Sequence, residues 1–299
     1  MLRTFTYKEI HWLDLENPTE TELAEVGTKY NLHPLTLEEL RRPSSRSKVD
    51  TYQDYLYLIL HFPDRPNQEA QEVDFVVGSN FIITAHYEPI NSLLDFAKIF
   101  ETDLALKKNN HKVHGGLVLY LILREMYATL DLSLSAINNR LKTIEPKVFS
   151  GKEREVVTEL AGVSRDLLDC QWNLKTHREV LQSLNYSGRE LFGDKFNYYS
   201  QALSSEYDKV WNSIESIRGT FNELRQTNES LLAIKSNETM KLLTVLAFVF
   251  FPLSVIPQIF GMNTELPLIG QPYDFYSVLA LMFGSSIVMY VLARFKKWF

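Results

Sequence analysis

Apolar and polar residues follow three different rhythms along this chain. Up to about residue 110 the apolar positions come in short runs: Leu2–Tyr7, Ile10–Leu15, Tyr55–Phe62, Glu72–Val77 and Phe81–Tyr87. These runs are rich in β-branched and aromatic residues and are bounded by turn residues, which predicts strands. Gly78-Ser79-Asn80 between the last two predicts a hairpin turn. Helices are predicted from Pro18-Thr19-Glu20 to Tyr30, where the acidic start suits a helix N-terminus, from His33-Pro34 to Arg42, and over Ile90–Thr102. Ser44–Lys48 reads as a polar, basic loop. The mixture predicts an α+β domain over residues 1–112.

From Leu117 the period becomes helical. Leu117–Glu145, stopped at Pro146, and Glu153–Asn185 predict antiparallel helices within residues 113–195, with a loop at Ser187-Gly188 and Gly193-Asp194. A third helix runs from Phe196 to Phe260 with no proline before Pro252. About 60 residues at 1.5 Å each make a helix of roughly 90 Å, longer than a globular domain needs. Within it Val210, Ile214, Ile217, Phe221, Leu224, Asn228 and Leu231 alternate steps of four and three. This heptad seam asks for partner helices and is read as self-association, with an antiparallel helix of the same chain as the alternative.

The third rhythm is continuous apolarity. Leu242–Phe260 and Phe275–Ala293 carry no charged residue, and each is long enough for a hydrocarbon core near 30 Å. The loop between them, residues 261–274, has no Lys or Arg, whereas Lys235, Lys241, Arg294, Lys296 and Lys297 flank the outer ends of the pair. The positive-inside rule then puts both chain ends in the cytoplasm and the loop outside. Met1–Lys8 lacks the apolar core of a signal peptide, which agrees with a cytoplasmic N-terminus.

Polar residues in the first span are clustered. Asn237, Thr244 and Gln258 fall within an arc of about 60°, with Met240 and Phe251 among them, and Ser254 widens it to about 100°. Such residues face protein or a water-filled cavity, because unsatisfied polar groups in lipid cost several kcal/mol. The arc therefore packs on a neighbouring helix or lines a pore. Two spans cannot enclose a pore alone, so a pore requires symmetric assembly in the bilayer. Phe248 and Phe251, in or beside the arc, are packing residues or a dewetting constriction. Pro252 and Pro257 predict kinks near the outer end.

Directly after this span stands Phe260-Gly261-Met262-Asn263, at the first outer turn between two C-terminal spans. In this the chain resembles the CorA family of magnesium transporters, whose signature is Gly-Met-Asn at this place. The resemblance extends through Asn237-Glu238-Thr239-Met240-Lys241, Thr244, Pro252-Leu253 and Lys296-Lys297-Trp298. Toward the N-terminus, Trp12-Leu13-Asp14-Leu15 and His33-Pro34-Leu35-Thr36-Leu37-Glu38-Glu39 are similar to the same family.

The resemblance implies a homopentameric funnel, with an α+β cytoplasmic domain, a long helical stalk and two transmembrane helices per protomer, in the plasma (inner) membrane. Gly261, Met262 and Asn263 would form a ring at the mouth, with Asn237, Met240, Thr244, Phe251 and Gln258 lining the path inward. A ring of amides suits Mg2+, which sheds water reluctantly and can be held through its hydration shell. Glu265 and Asp274 in the outer loop would raise the local cation concentration, or are plain solvated charges. Mg2+ is implied both as cargo, with Co2+ and Ni2+ as further cargo, and as a cytoplasmic regulatory ion that holds the closed state. Glu38 and Glu39 match the family's acidic pair; the partner acid on the long helix is replaced by Ala202, with Glu206 or Asp208 one turn on as substitutes. Phe260 stands where the family has Tyr, and only Leu266-Pro267-Leu268 remains of the usual outer-loop run.

Net charge of −6 with no basic stripe argues against a nucleic-acid partner. The single cysteine, Cys170, excludes an internal disulfide framework. No phosphate loop, nucleophile elbow or metal-ligand helix motif marks an enzyme or a bound cofactor. Rival readings are a Zn2+ transporter of the same fold and a non-transporting membrane-tethered sensor or scaffold. His111 and His114 are read as surface residues rather than a zinc pair.

Overall fold

The short apolar runs form one six-stranded sheet: β1 (Leu2–Tyr7), β2 (Ile10–Glu16), β3 (Lys48–Thr51), β4 (Tyr55–Phe62), β5 (Gln71–Gly78) and β6 (Phe81–His86). The computed structural model from which this follows describes residues 1–63, 70–101, 113–262 and 273–296. The strand order is β1-β2-β6-β5-β4-β3, with β2 and β6 parallel and every other neighbouring pair antiparallel. β5 is buried along its whole length between β4 and β6. The sequence gives no strand signal at Lys48–Thr51, which lies partly in the expected basic loop; it pairs with β4 as an edge strand. Charges such as Lys48 and Asp50 are what an edge strand carries.

Helices cover both faces. On one side α1 (Glu20–Lys29) and α2 (Pro34–Glu39) close a core containing Leu13, Leu15, Val26, Leu40, Tyr57, Ile59 and Ile83. α1 starts as its sequence demands: Thr19 and Glu22 form a reciprocal capping box. On the other side α3 (Asn91–Glu101) sets Phe96 and Phe100 against Trp12, at ring distances of 5.3 and 5.4 Å.

The remaining helices are α4 (Gly115–Phe149), α5 (Glu153–Leu174), α6 (His177–Phe192), α7 (Phe196–Phe260) and α8 (Asp274–Phe295). Three boundaries differ from expectation. Pro146 does not stop α4 at once: the helix carries on to Phe149, less than one turn further, with the proline's single ladder donor missing. The expected helix over Glu153–Asn185 breaks after Leu174, and α6 starts at His177, whose ring is fully buried and anchored to β4 and α4. Ser187-Gly188 is helical rather than looped. The Phe196 ring lies against Gly188 so closely that a Cβ there would meet Cε1 at 2.2 Å, so only glycine fits.

α4, α5 and α7 form a three-helix bundle in which each helix contributes an apolar seam that steps by four and three. The seam residues are Leu130, Leu134, Ile137, Leu141, Ile144 and Val148 on α4, and Val156, Leu160, Val163, Leu167, Cys170 and Leu174 on α5. On α7 they are Leu203, Tyr207, Val210, Ile214, Ile217, Phe221 and Leu224. Side-chain pairs fix the directions. Tyr120–Tyr199 and Tyr127–Tyr207 run α7 parallel to α4, while Arg140–Asp166 and Lys147–Glu159 run α5 antiparallel to α4. The seam as far as Leu224 is thus filled by helices of the same chain, and that stretch does not by itself signal self-association.

The chain divides into two units, Met1–Arg225 and Gln226–Phe299. The first holds the sheet and the bundle; the second holds the C-terminal part of α7 and all of α8.

Candidate functional site

Among the described residues two helices are long and apolar enough to cross a membrane, α7 in its C-terminal part and α8 from Phe275. Core helices of a soluble protein would be buried. Here Leu243, Phe250, Phe251, Phe283 and Val288 are exposed, and the apolar stretches are almost wholly uncovered. Water does not tolerate an apolar surface on this scale, and a bilayer does.

In the second unit each helix has buried positions seven apart: Val245 and Pro252 on α7, and Ser286 and Ala293 on α8. That spacing is one packed seam per helix. Asn237, Met240, Thr244, Phe248, Phe251 and Gln258 are all exposed and centre about 100° around α7 from Val245 and Pro252. Within one chain the polar arc is therefore not the face that is covered. Thr244 donates its hydroxyl to the Met240 carbonyl at 2.8 Å, and Ser254 donates to Phe251 at 2.9 Å. These bonds satisfy the hydroxyl donors inside the helix and leave oxygen lone pairs free to accept from a hydrated cation. Pro252 and Pro257 both sit inside α7, each removing one backbone donor from its ladder.

α7 ends at Phe260, and the turn that follows is tight. The Gly261 amide donates to Pro257 at 2.8 Å and the Met262 amide to Ile259 at 3.3 Å. A Cβ on Gly261 would lie 3.0 Å from the Pro257 oxygen, closer than side-chain carbons ordinarily sit, so glycine suits this close approach. Met262 is exposed. Asn263 and Glu265 lie outside the described residues, and Asp274 begins α8.

The acidic pair on α2 is split between two environments. Glu38 is exposed. Glu39 Oε1 takes the Lys48 ammonium at 2.7 Å, and Lys48 also reaches Asp50 at 2.6 Å. Burial opposes the Lys48 charge, but Asp50 and Glu39 outweigh it and its pKa is raised. On α7, Asp208 is paired with Arg178 at 3.1 Å and Glu206 is half-buried. Within one chain Glu38 and Glu39 are not brought together with Glu206 and Asp208. Among the described residues no group of three or more His, Cys, Asp or Glu is placed to hold a metal ion directly. Carboxylates suit Mg2+, yet with Lys48 and Arg178 on them this set does not fit a resident ion within one chain. His114, expected at the surface, instead stacks on Phe192 at 5.2 Å; burial lowers its pKa. His111 lies outside the described residues.

One cluster went unnoticed in the sequence. Asp74 and Glu72 point from β5 into the protein interior, and both are buried. Tyr57 donates to Asp74 Oδ1 at 2.8 Å. Burial, then the charges of Glu72 and Glu39, push the Asp74 carboxyl well above the usual range. The available signal was Gln71-Glu72-Val73-Asp74, acids inside a run that otherwise reads as a central strand.

The soluble α/β unit, the long helix and the pair of uncovered apolar helices define a two-span membrane protein. A family model described as a CorA-like Mg2+ transporter protein matches residues 7–297, and the chain belongs to that family. The cobalt/magnesium transport protein CorA of Thermotoga maritima is 25% identical over 293 residues, covering 96% of this chain and 83% of that protein. The cobalt/magnesium transport protein CorA of Methanocaldococcus jannaschii is also 25% identical, over 301 residues, covering 96% of this chain and 90% of that protein. The complete structure of the CorA magnesium transporter from Methanocaldococcus jannaschii superposes with a TM-score of 0.83 at 22% identity, covering 99% of this chain and 94% of that one.

Proposed function

We propose that this protein carries Mg2+ across the plasma membrane as a symmetric homo-oligomer, a pentamer by family resemblance, with the Asn237–Gln258 arc of α7 lining the path. The observation that carries this reading is the exposure of that arc in a single chain, about 100° from the buried seam. A polar face in a bilayer needs an occupant, and copies of the same face around an axis supply a wet one. The arc holds amide, hydroxyl and thioether groups and no carboxylate, so a hydrated cation is held weakly enough to leave. Gly261, Met262 and Asn263 serve as the ring at the mouth, and Phe248 and Phe251 as the constriction. Lys235, Lys241, Arg294 and Lys296 support cytoplasmic chain ends. Co2+ and Ni2+ are candidate further cargo. Regulation by intracellular Mg2+ at Glu39 and Asp208 requires these acids to exchange Lys48 and Arg178 for the ion.

The test is uptake into liposomes that contain a Mg2+-sensitive dye, for wild type and Asn263→Ala. Mg2+ should enter wild-type liposomes under an inside-negative potential, and the rate should fall to background in the variant. Zn2+ uptake driven by a proton gradient without Mg2+ uptake would replace the ion assignment. No movement of either ion in verified oligomers would leave a membrane-tethered scaffold.

A further inference from the structure

A hydroxyl is buried between the two membrane helices without a partner. Val245 and Pro252 on α7, and Ser286 and Ala293 on α8, are buried, and each pair is seven residues apart. Two spans joined by one turn run antiparallel, so a single register covers all of them: Val245 faces Ala293, and Pro252 faces Ser286. Ser286 is 6% exposed and its Oγ has no hydrogen-bond partner. A serine in a membrane helix ordinarily gives its hydroxyl to the carbonyl four residues back. For Ser286 that acceptor is Met282, which already takes the Ser285 hydroxyl at 2.9 Å beside its helical amide. Across the seam, Pro252 has no N–H, so α7 misses the ladder bond from position 252 to the Phe248 carbonyl. That carbonyl points along the helix at Pro252 and so opens on the same seam. A donor without an acceptor thus stands opposite a break in the backbone ladder.

We propose, resting on transport along the α7 arc, that Ser286 is a positioning residue for that arc, its hydroxyl donating across the seam to the Phe248 carbonyl that Pro252 cannot serve. Membrane helices keep proline where side chains or neighbouring helices make good the freed backbone groups. A carbonyl has two lone pairs, so the bond asks nothing of the other contacts that Phe248 makes. In this structure Ser286 is unpaired and the clasp is undone; closing it takes a slide or turn of α7 against α8 at the proline, where a helix bends. Pro252 follows Phe251 of the constriction directly and precedes Ser254 and Gln258. The clasp therefore fixes how the mouth end of the arc is aimed relative to the constriction.

A double-substitution cycle on the full-length oligomer tests this. Mg2+ uptake into dye-loaded liposomes is compared for wild type, Ser286→Ala, Pro252→Ala and the double variant, with Ser286→Thr as the conservative control. Ser286→Ala should slow uptake about threefold, the factor that an average interhelical hydrogen bond in a bilayer carries. Ser286→Thr keeps the hydroxyl and should restore the rate. Pro252→Ala returns an N–H to position 252, so Ser286→Ala should cost nothing further in that background. The melting temperature of the detergent-solubilised oligomer should follow the same pattern across these proteins, and it does not depend on transport. If wild type moves no Mg2+, the transport reading fails, and the melting series still decides whether the clasp exists. Equal losses from Ser286→Ala in both backgrounds would overturn the proposal and make Ser286 a packing residue. No loss in either background would overturn it too, since the hydroxyl would then hold nothing.

Discussion

His177 ties three elements together with one neutral ring. Its Nε2 donates to the His61 carbonyl of β4 at 3.0 Å, its Nδ1 accepts from the Tyr127 hydroxyl of α4 at 2.9 Å, and it stacks beside Tyr207 of α7. Complete burial pushes its pKa down to about 4 against an ordinary 6.5. Between those values the unfolded chain binds a proton that the folded ring refuses. Stability therefore falls as pH drops from 6.5 to 4, by about 3 kcal/mol for a shift of this size, and is level above 6.5. His61 works the other way: burial lowers its pKa, but Glu72 and the Ser44 carbonyl outweigh that and raise it, so its contribution is present below 6.5 and lost as pH rises through the folded value. Comparing wild type with His177→Gln isolates the first effect, since the amide keeps both hydrogen bonds and cannot titrate. The melting temperature of wild type should drop more steeply than that of the variant between pH 6.5 and 4.5; parallel curves would mean that His177 is not held neutral. Little at this scale was legible beforehand. A histidine or an acid in a sequence carries no mark of burial, and Glu72, Asp74 and His177 acquire their meaning only when distant strands and helices close over them. The Gly-Met-Asn signature was legible because it is local, three consecutive residues placed by the end of one apolar helix.

At the scale of elements, helical period announced the seam of α7, and short β-branched and aromatic runs bounded by turn residues announced five of the six strands. The period could not say who fills the seam. Tyr207, Val210, Ile214, Ile217 and Phe221 look alike whether the partner helix belongs to the same chain or a second copy, and here α4 and α5 carry matching heptads. β3 escaped because an edge strand of four residues with Lys48 and Asp50 has too little alternation to stand out from a loop. The two ends of the α7 seam make different predictions. Ile214 is 1% exposed, so Ile214→Ala should cost the bundle about 2–5 kcal/mol in detergent-solubilised protein while leaving the oligomer intact. Leu231 is half-buried, and Leu231→Ala should lower the melting temperature much less. Dissociation of the oligomer by Ile214→Ala without loss of melting temperature would move the seam from within the chain to between chains.

For the whole molecule, the decisive matter is which side of α7 meets water. Three directions around that helix have different claims: Val245 and Pro252 are buried, the Thr244–Gln258 arc is exposed and polar, and Leu243 and Phe250 are exposed and apolar, about 60–80° beyond the edge of the arc by 100° per residue. If symmetric copies surround a path, the second direction is wet and the third faces lipid. The native chain offers a clean background for finding out. Its one cysteine, Cys170, is buried in the α4–α5–α7 bundle, and burial pushes its thiol up to about 12, so almost none is thiolate at neutral pH. Thr244→Cys and Gln258→Cys should then react with a water-soluble thiol reagent in liposomes, and millimolar Mg2+ should slow the reaction. Phe250→Cys should stay unmodified, since the thiolate that reacts does not form in hydrocarbon. Equal protection of all three positions would mean that the arc is covered by another helix and conducts nothing. Reaction at Phe250→Cys alone would turn the helix about its axis and put the path on the face now assigned to lipid.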